Sequence, residues 1–273
     1  MANDHPLLKN RIIYFLITAF FVVGTATCVL FFLINVRIKT VTLENCVYSE
    51  SSAVLEAASI KKGTHSYAID KTKISEAIMA ANPYVTDVRI KRTGISTVAL
   101  ILTEDEPRFY IERGGKYLVL SGTLRVLARY ESLDECAHLS VHPISLVPIA
   151  EAELGETVVF AEGYEEKGKE SIDLLSQISE SELSGTITYA DLSERFDLRF
   201  TYKDKYEIRF GAPRSFEEKL ALVVKTVAFL ENPENSYSTA KGIIHASVPG
   251  ETSFEPTGST EEAQKIFPTA EPK

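Results

Sequence analysis

Residues 70–92 read DKTKISEAIMAANPYVTDVRIKR, and this stretch decides the fold of the region around it. Asp70 suits a helix N-cap, because its carboxylate can accept from first-turn amides. Ile74, Ala77, Ile78 and Ala81 then recur at i, i+3, i+4 and i+7, the spacing of one helical face. Asn82-Pro83 stops that helix, since the residue before a proline is pushed out of helical backbone. Beyond it the period changes to two. Val88 and Ile90 fall on one side and Arg89 and Lys91 on the other, which predicts a half-buried strand.

Working outward, Thr93-Gly94 reads as a turn, and Val98, Leu100 and Leu102 alternate in a second strand ending at Glu104. Upstream, Ile38, Thr40, Val41, Thr42 and Leu43 form a β-branched, extended segment. Ser51 or Ser52 can cap a short helix running through Ala58, and Gly63 interrupts the chain beyond that helix. The order strand, helix, helix, strand, strand predicts a small α+β unit, a sheet covered on one face by two helices.

In front of this unit lies an uncharged run, residues 12–34, of 23 residues. As a helix rising about 1.5 Å per residue it reaches about 34 Å, against a hydrocarbon core of about 30 Å. It reads as a single transmembrane helix. A cleaved signal peptide is the rival, because Gly24-Thr25-Ala26 has small-x-small spacing. The apolar segment 29–34 comes at once after it, which favours an uncleaved anchor. Cys28 within the run reads as a membrane-buried thiol. Lys9 and Arg11 flank one end and Arg37 and Lys39 the other, so the positive-inside rule leaves orientation open.

The remaining chain is acidic, with an overall net charge of −9 and a pI of about 5.2. Such a chain is a poor nucleic-acid binder, because phosphate contacts need clustered Lys and Arg. Cys46 and Cys136 form no disulfide framework; a bond between them is one option and two buried thiols the other.

A second, β-rich region spans 107–248. Residues 109–112 and 116–120 around Gly114-Gly115 predict a hairpin, and 124–128 another strand. Residues 165–178 predict a helix with Ile172, Leu175 and Ile178 on one face. Residues 186–192, 198–202 and 206–210 predict a meander. Ser215 with Glu218 reads as a capping box opening a helix that carries Leu220, Val223, Val224, Val227 and Leu230; Asn232-Pro233 ends it. Residues 242–248 read as the last strand. From residue 249 the composition turns to Pro, Thr, Ser, Glu and Gly, and the tail 249–273 is expected to be disordered.

The search for chemistry comes back empty. His138 and His142 are four apart, but Pro143 comes directly after, and they read as polar loop residues rather than metal ligands. No nucleophile elbow or phosphate loop occurs. Glu104-Asp105-Glu106 reads as a solvated acidic face. Cys136 and His138, two apart on a strand, are the only near pair for a membrane-anchored hydrolase or transpeptidase. No catalytic, cofactor or metal residue is assigned, and a protein-binding role is expected.

The first region resembles a POTRA domain, and the order of motifs resembles the FtsQ/DivIB family of bacterial cell-division proteins. The residues that carry it are Ile60-Lys61-Lys62-Gly63, Tyr67-Ala68-Ile69-Asp70, and Asn82-Pro83-Tyr84-Val85 followed by Val88, Ile90 and Arg92. Glu104-Asp105-Glu106-Pro107 is similar to the motif closing the domain, with Asp105 where Arg is usual. Further on, Tyr117-Leu118-Val119-Leu120, Val126-Leu127, Phe210-Gly211 and Glu218-Lys219-Leu220 resemble motifs of the second domain.

The resemblance implies a cytoplasmic tail 1–11, a transmembrane helix 12–35, a POTRA domain 36–106 and an extracytoplasmic β domain 107–248. It also implies a single-pass scaffold of the bacterial cell membrane at the division septum. Such a scaffold has no enzymatic activity, binds FtsL-type and FtsB/DivIC-type bitopic partners and supports regulation of septal wall synthesis. A POTRA-type scaffold in secretion or outer-membrane assembly is the rival. Partner contact through an added strand falls here on Gly242, Ile243, Ile244, His245, Ala246, Ser247 and Val248. An edge strand offers unpaired amides and carbonyls to an incoming strand. The rival is that the chain covers this strand itself.

Overall fold

A computed structural model describes residues 6–65, 68–257 and 264–265. It begins with α1 (Pro6–Asn35), of which residues 14–31 form an apolar window long enough to cross a membrane. The helix starts at Pro6, so residues 6–11, expected as a tail, continue the helix. The chain then divides into two compact units, Met1–Glu104 and Asp105–Lys273.

The first unit contains β1 (Thr40–Glu44), α2 (Ser51–Ala58), α3 (Lys71–Ala81), β2 (Val85–Arg92) and β3 (Thr97–Glu104). Its sheet has the order β1-β3-β2, with β1 parallel and β2 antiparallel to β3. Ile38, Val54, Ile78, Val88, Leu100 and Leu102 join the helices to the sheet in one core. A register shift between Val85 and Asp87 explains why Val85 and Val88, three apart, both face inward.

The caps differ in detail from expectation. Asp70 accepts from the Lys73 amide at 3.2 Å, as its residue type predicts. α2 is instead capped by Glu50, with no side-chain bond, and ends at Ser59 in the left-handed region. On α3, Ile78 is buried and Ile74 and Met79 half-buried, while Ala77 and Ala81 face solvent, so the inner stripe is narrower than the spacing predicts. Asn82 is itself buried. Its Nδ2 donates to Ile78 O at 2.9 Å and its carbonyl accepts from Val85 N at 2.9 Å, so one residue closes the helix and launches the strand. Tyr67 lies outside the described residues.

The second unit contains β4 (Pro107–Arg113), β5 (Lys116–Ser121), β6 (Val126–Tyr130), α4 (Leu133–Cys136), β7 (His142–Ser145), β8 (Ile149–Glu151) and β9 (Val159–Phe160). It continues with α5 (Glu165–Glu180), β10 (Ile187–Asp191), β11 (Leu198–Tyr202), β12 (Tyr206–Gly211), α6 (Phe216–Glu231), β13 (Gly242–His245), β14 (Ser253–Pro256) and β15 (Gln264–Lys265). Ten strands form one sheet in the order β15-β14-β13-β12-β11-β10-β7-β4-β5-β6, and β8 pairs with β9. Residues of α5 and α6, among them Leu174, Leu175, Val223 and Leu230, share its core.

Three expectations are corrected here. His142 lies in β7, between β4 and β10, rather than in a loop. The Ser215–Glu218 capping box does not form, because Ser215 takes left-handed backbone (φ 53°) and its side chain makes no cap bond. Residues 249–257, expected to be disordered, include β14. Residues 258–263 and 266–273 of that tail lie outside the described residues.

Candidate partner-binding edge

The seven residues 242–248 do not form a sheet edge. β13 lies between β12, its parallel neighbour, and β14, its antiparallel neighbour. Gly242 N donates to Lys205 O and Ala246 N to Arg209 O, so even-numbered backbone groups face β12. The odd-numbered groups then face β14, where Ile243 sits opposite Glu255. Gly242, Ile244 and Ala246 are buried, Ile243 and His245 half-buried, and Ser247 and Val248 lie exposed beyond the strand. His245 Nε2 approaches Glu255 Oε2 at 3.1 Å across the pair.

What covers β13 is the start of the polar tail. Phe254 is 2 % exposed and meets Tyr206 edge-on at 5.7 Å between centroids and Tyr237 at 5.6 Å. Thr252 is buried and shares a hydroxyl–hydroxyl contact of 2.9 Å with Thr226 of α6. Gly242 is required by this closure. A Cβ there would stand 2.3 Å from Glu255 O and 2.6 Å from the Phe254 ring. The sequence signal was faint: one aromatic and one threonine, two apart, in a run whose average composition reads as disordered.

The outer side of β14 is paired with β15, the last strand at this end of the sheet. That strand is two residues long and pairs Ser253 with Lys265 and Phe254 with Gln264. By alternation the backbone groups of Phe254 and Pro256 face outward, and Pro256 has no amide to present. A proline at such a position blunts an edge against indiscriminate pairing.

The acidic triplet is not a uniform solvated face. Glu104 takes Val47 N, Tyr48 N and Ser49 N at 2.7, 2.9 and 3.0 Å, tying the loop after β1 to the end of β3. Burial pushes its carboxyl up. The Ser49 hydroxyl, which has no partner at standard hydrogen-bond geometry, and those amides pull harder, so the group sits below the usual carboxylate range. Asp105 faces Arg125 at 3.8 Å, and burial outweighs that guanidinium to raise it. Glu106 pairs with Arg108 at 2.6 Å.

The Cys136–His138 pair has no shared strand. Cys136 ends α4 and His138 lies in a 3-10 turn, Ala137–Leu139. The Cys136 thiol is buried, donates to Leu133 O at 3.2 Å and is pushed up by that burial, which disfavours a thiolate. Cys46 and Cys136 are both free thiols. Among the described residues no group of three or more His, Cys, Asp or Glu side chains is placed to hold a metal ion. A cleft of about 790 Å³ near Arg195, Phe196 and Phe216 is lined by the Glu170–Arg195 ion pair at 2.5 Å.

A long apolar helix that could span a membrane, then a three-stranded sheet with two helices and a β-rich unit, is the layout of a POTRA-containing protein. The family described as "POTRA domain, FtsQ-type" matches residues 36–105. The chain is 22% identical over 191 residues to the cell division protein DivIB of Clostridium acetobutylicum, covering 70% of this chain and 73% of the relative. It is 21% identical over 194 residues to the cell division protein FtsQ of Corynebacterium glutamicum, covering 70% and 78%. The chain is thus similar, over most of its length, to cell-division proteins of the FtsQ/DivIB family, with an FtsQ-type POTRA domain at residues 36–105. These likenesses support a membrane scaffold role in cell division.

Proposed function

We propose that this chain is a non-enzymatic scaffold of the septal division machinery. Its N-terminus is cytoplasmic, α1 spans the membrane, and the POTRA and β domains, from residue 36 onward, stand on the extracytoplasmic side at the septum. It binds FtsL-type and FtsB/DivIC-type bitopic partners and so supports regulation of septal wall synthesis.

The observation that supports this reading is the edge of β14. It is held in place by Phe254 and Thr252, and among the described residues its outer side pairs with β15, a strand of two residues. A partner strand replacing β15 would gain main-chain hydrogen bonds along a pre-formed template. The contact assigned from sequence to residues 242–248 thereby moves one strand outward, because β13 spends its own backbone groups on β12 and β14.

Depletion of the protein tests the role. Filaments without a midcell band of a fluorescent fusion are expected; normal septation with a different envelope defect sinks the reading. Rescue by chains truncated after Thr257 and after Val248 tests the edge. The first retains β14 and should recover the FtsB/DivIC-type partner in a pull-down, and the second should not. A far-ultraviolet spectrum of both chains separates lost binding from lost folding.

A further inference from the structure

We infer that the near end of the POTRA unit is a second membrane contact, one that docks on the anionic phosphate headgroups of the bilayer. This rests on the reading that α1 spans that bilayer. α1 ends at Asn35, and the domain begins at once, with Val36 and Ile38 buried. Two separate segments are stitched to those first residues. Ile38 N donates to Thr64 O and Gly63 N to Ile38 O, at 2.9 and 2.7 Å. Arg37 pairs with His65 in an isolated bridge, and its guanidinium donates to Gly63 O at 3.1 Å. Lys39 N and Thr40 N both donate to Ser96 O in the turn between β2 and β3. That turn is thus joined to residues four or five past the helix end, within about 17 Å of extended chain.

This end of the unit is basic. Arg37, Lys39, Lys61 and Lys62 are exposed on its first two segments. Lys91 and Arg92 are exposed where β2 reaches the turn, and Lys71 at the start of α3 lines a shallow hollow with them. Among the described residues no carboxylate pairs with Lys39, Lys61, Lys62, Lys71 or Lys91. Asp70, at the same end, is engaged by Lys73 at 3.7 Å. By register, Glu44, Asp87 and Glu104 lie toward the opposite end of the three strands. The polarity is local to this unit: residues 36–104 carry nine Lys or Arg and seven Asp or Glu, whereas residues 105–273 carry 18 and 30.

The turn also carries an apolar tip. Ile95 is 67% exposed beside Gly94, with no core to explain it. A large exposed apolar side chain in a turn that follows Lys91 and Arg92 and is bonded to the Lys39 backbone is the pattern of an interfacial contact. The tip enters the acyl boundary while the cations meet headgroup phosphates. The span supplies what a soluble domain lacks, a fixed short distance between patch and lipid, so few charges suffice.

The test uses the full chain in lipid nanodiscs of phosphatidylcholine, with and without phosphatidylglycerol. Spin labels go on Ile95→Cys, Thr86→Cys or Val22→Cys in a Cys28→Ala, Cys46→Ser, Cys136→Ala background, whose fold is checked by its thermal melt. Collisions of the Ile95 label with a water-soluble nickel chelate should fall several-fold when phosphatidylglycerol is present, while the Thr86 label stays accessible. Reversal of charge at Lys61, Lys62 and Lys91, each to Glu, should remove the protection, as should salt near 1 M, where the Debye length is about 3 Å. Equal accessibility of Ile95 in both nanodiscs, with Val22 deep in oxygen-rich lipid, overturns the inference and leaves the span intact. A water-accessible Val22 overturns the span as well. Protection that tracks a soluble wall polyanion instead of the lipid overturns the choice of partner.

Discussion

The two units solve the same problem, covering a sheet, by opposite routes. In the first, every piece of the core comes from residues 36–104, and each turn is set by its neighbours: Asp70 starts α3, and Asn82 ends it and begins β2. In the second, β7 is inserted between β4 and β10, and β13 is closed by β14 from the tail. Charge shows the same division, with the acidic excess falling on the second unit. The lesson is that local signals suffice where contacts are local. A sheet assembled from distant segments depends on side chains whose value appears only when they meet.

The largest expected effect tests that dependence. Phe254→Ala should destabilise the second unit by about 3–5 kcal/mol, the usual loss for a buried aromatic, and free the β13 edge. Urea unfolding followed by hydrogen exchange at Ile243 and His245 measures it. An effect under about 1 kcal/mol would mean that β14 is an accessory rather than part of the core.

Lys219 comes next. It is 1% exposed and donates to Phe210 O at 3.0 Å and Ala212 O at 2.8 Å, although burial pulls its ammonium down. Lys219→Met keeps the stem and strands two carbonyls, at a cost of about 1–3 kcal/mol in unfolding free energy, measured by urea unfolding. A neutral result would show that water replaces the ammonium.

The first unit has its own charged clamp, and there the expected effect is smaller and pH-dependent. Glu104 has a folded-state pKa below its unfolded value. Its contribution is therefore complete above the unfolded carboxylate range and is lost as pH falls through the folded value. Protection of the Val47, Tyr48 and Ser49 amides should weaken on acidification. Glu104→Gln should cost about 1 kcal/mol near neutrality, after allowance for solvent screening, and flatten that profile. Unchanged protection in the variant would place the loop under other control.

The smallest effect runs the other way. The Tyr206 hydroxyl is buried without a hydrogen-bond partner, beneath Phe254. Tyr206→Phe should raise the second unit's stability by up to about 1 kcal/mol, read as a higher melting temperature. A loss would reveal a water that satisfies the hydroxyl.

Much of the first unit was legible because its periods are clean. Val88 and Ile90 alternate with charged neighbours, and the proline after Asn82 marks the boundary. The bulge at Val85–Asp87 was not legible, since it depends on pairing with β3. In the second unit the β4–β5 hairpin and the β10–β12 meander read directly, while β7, β8 and β9 did not. These are two to four residues long, too short for a period to register. At the candidate edge the strand β13 was legible in the sequence, and its neighbour β14 was not.

The sequence by itself determined the apolar helix, the α+β unit behind it and the acidic character of the second region, because each is written in composition or short-range spacing. Only the tertiary structure decided which strand ends the sheet. Hydrogen bonding along a sheet edge is a property of backbone, and backbone carries no signature of its partner. Phe254 and Thr252 gain their meaning from Tyr206, Tyr237 and Thr226, residues far away in the chain, and Gly242 from the strand that crosses it.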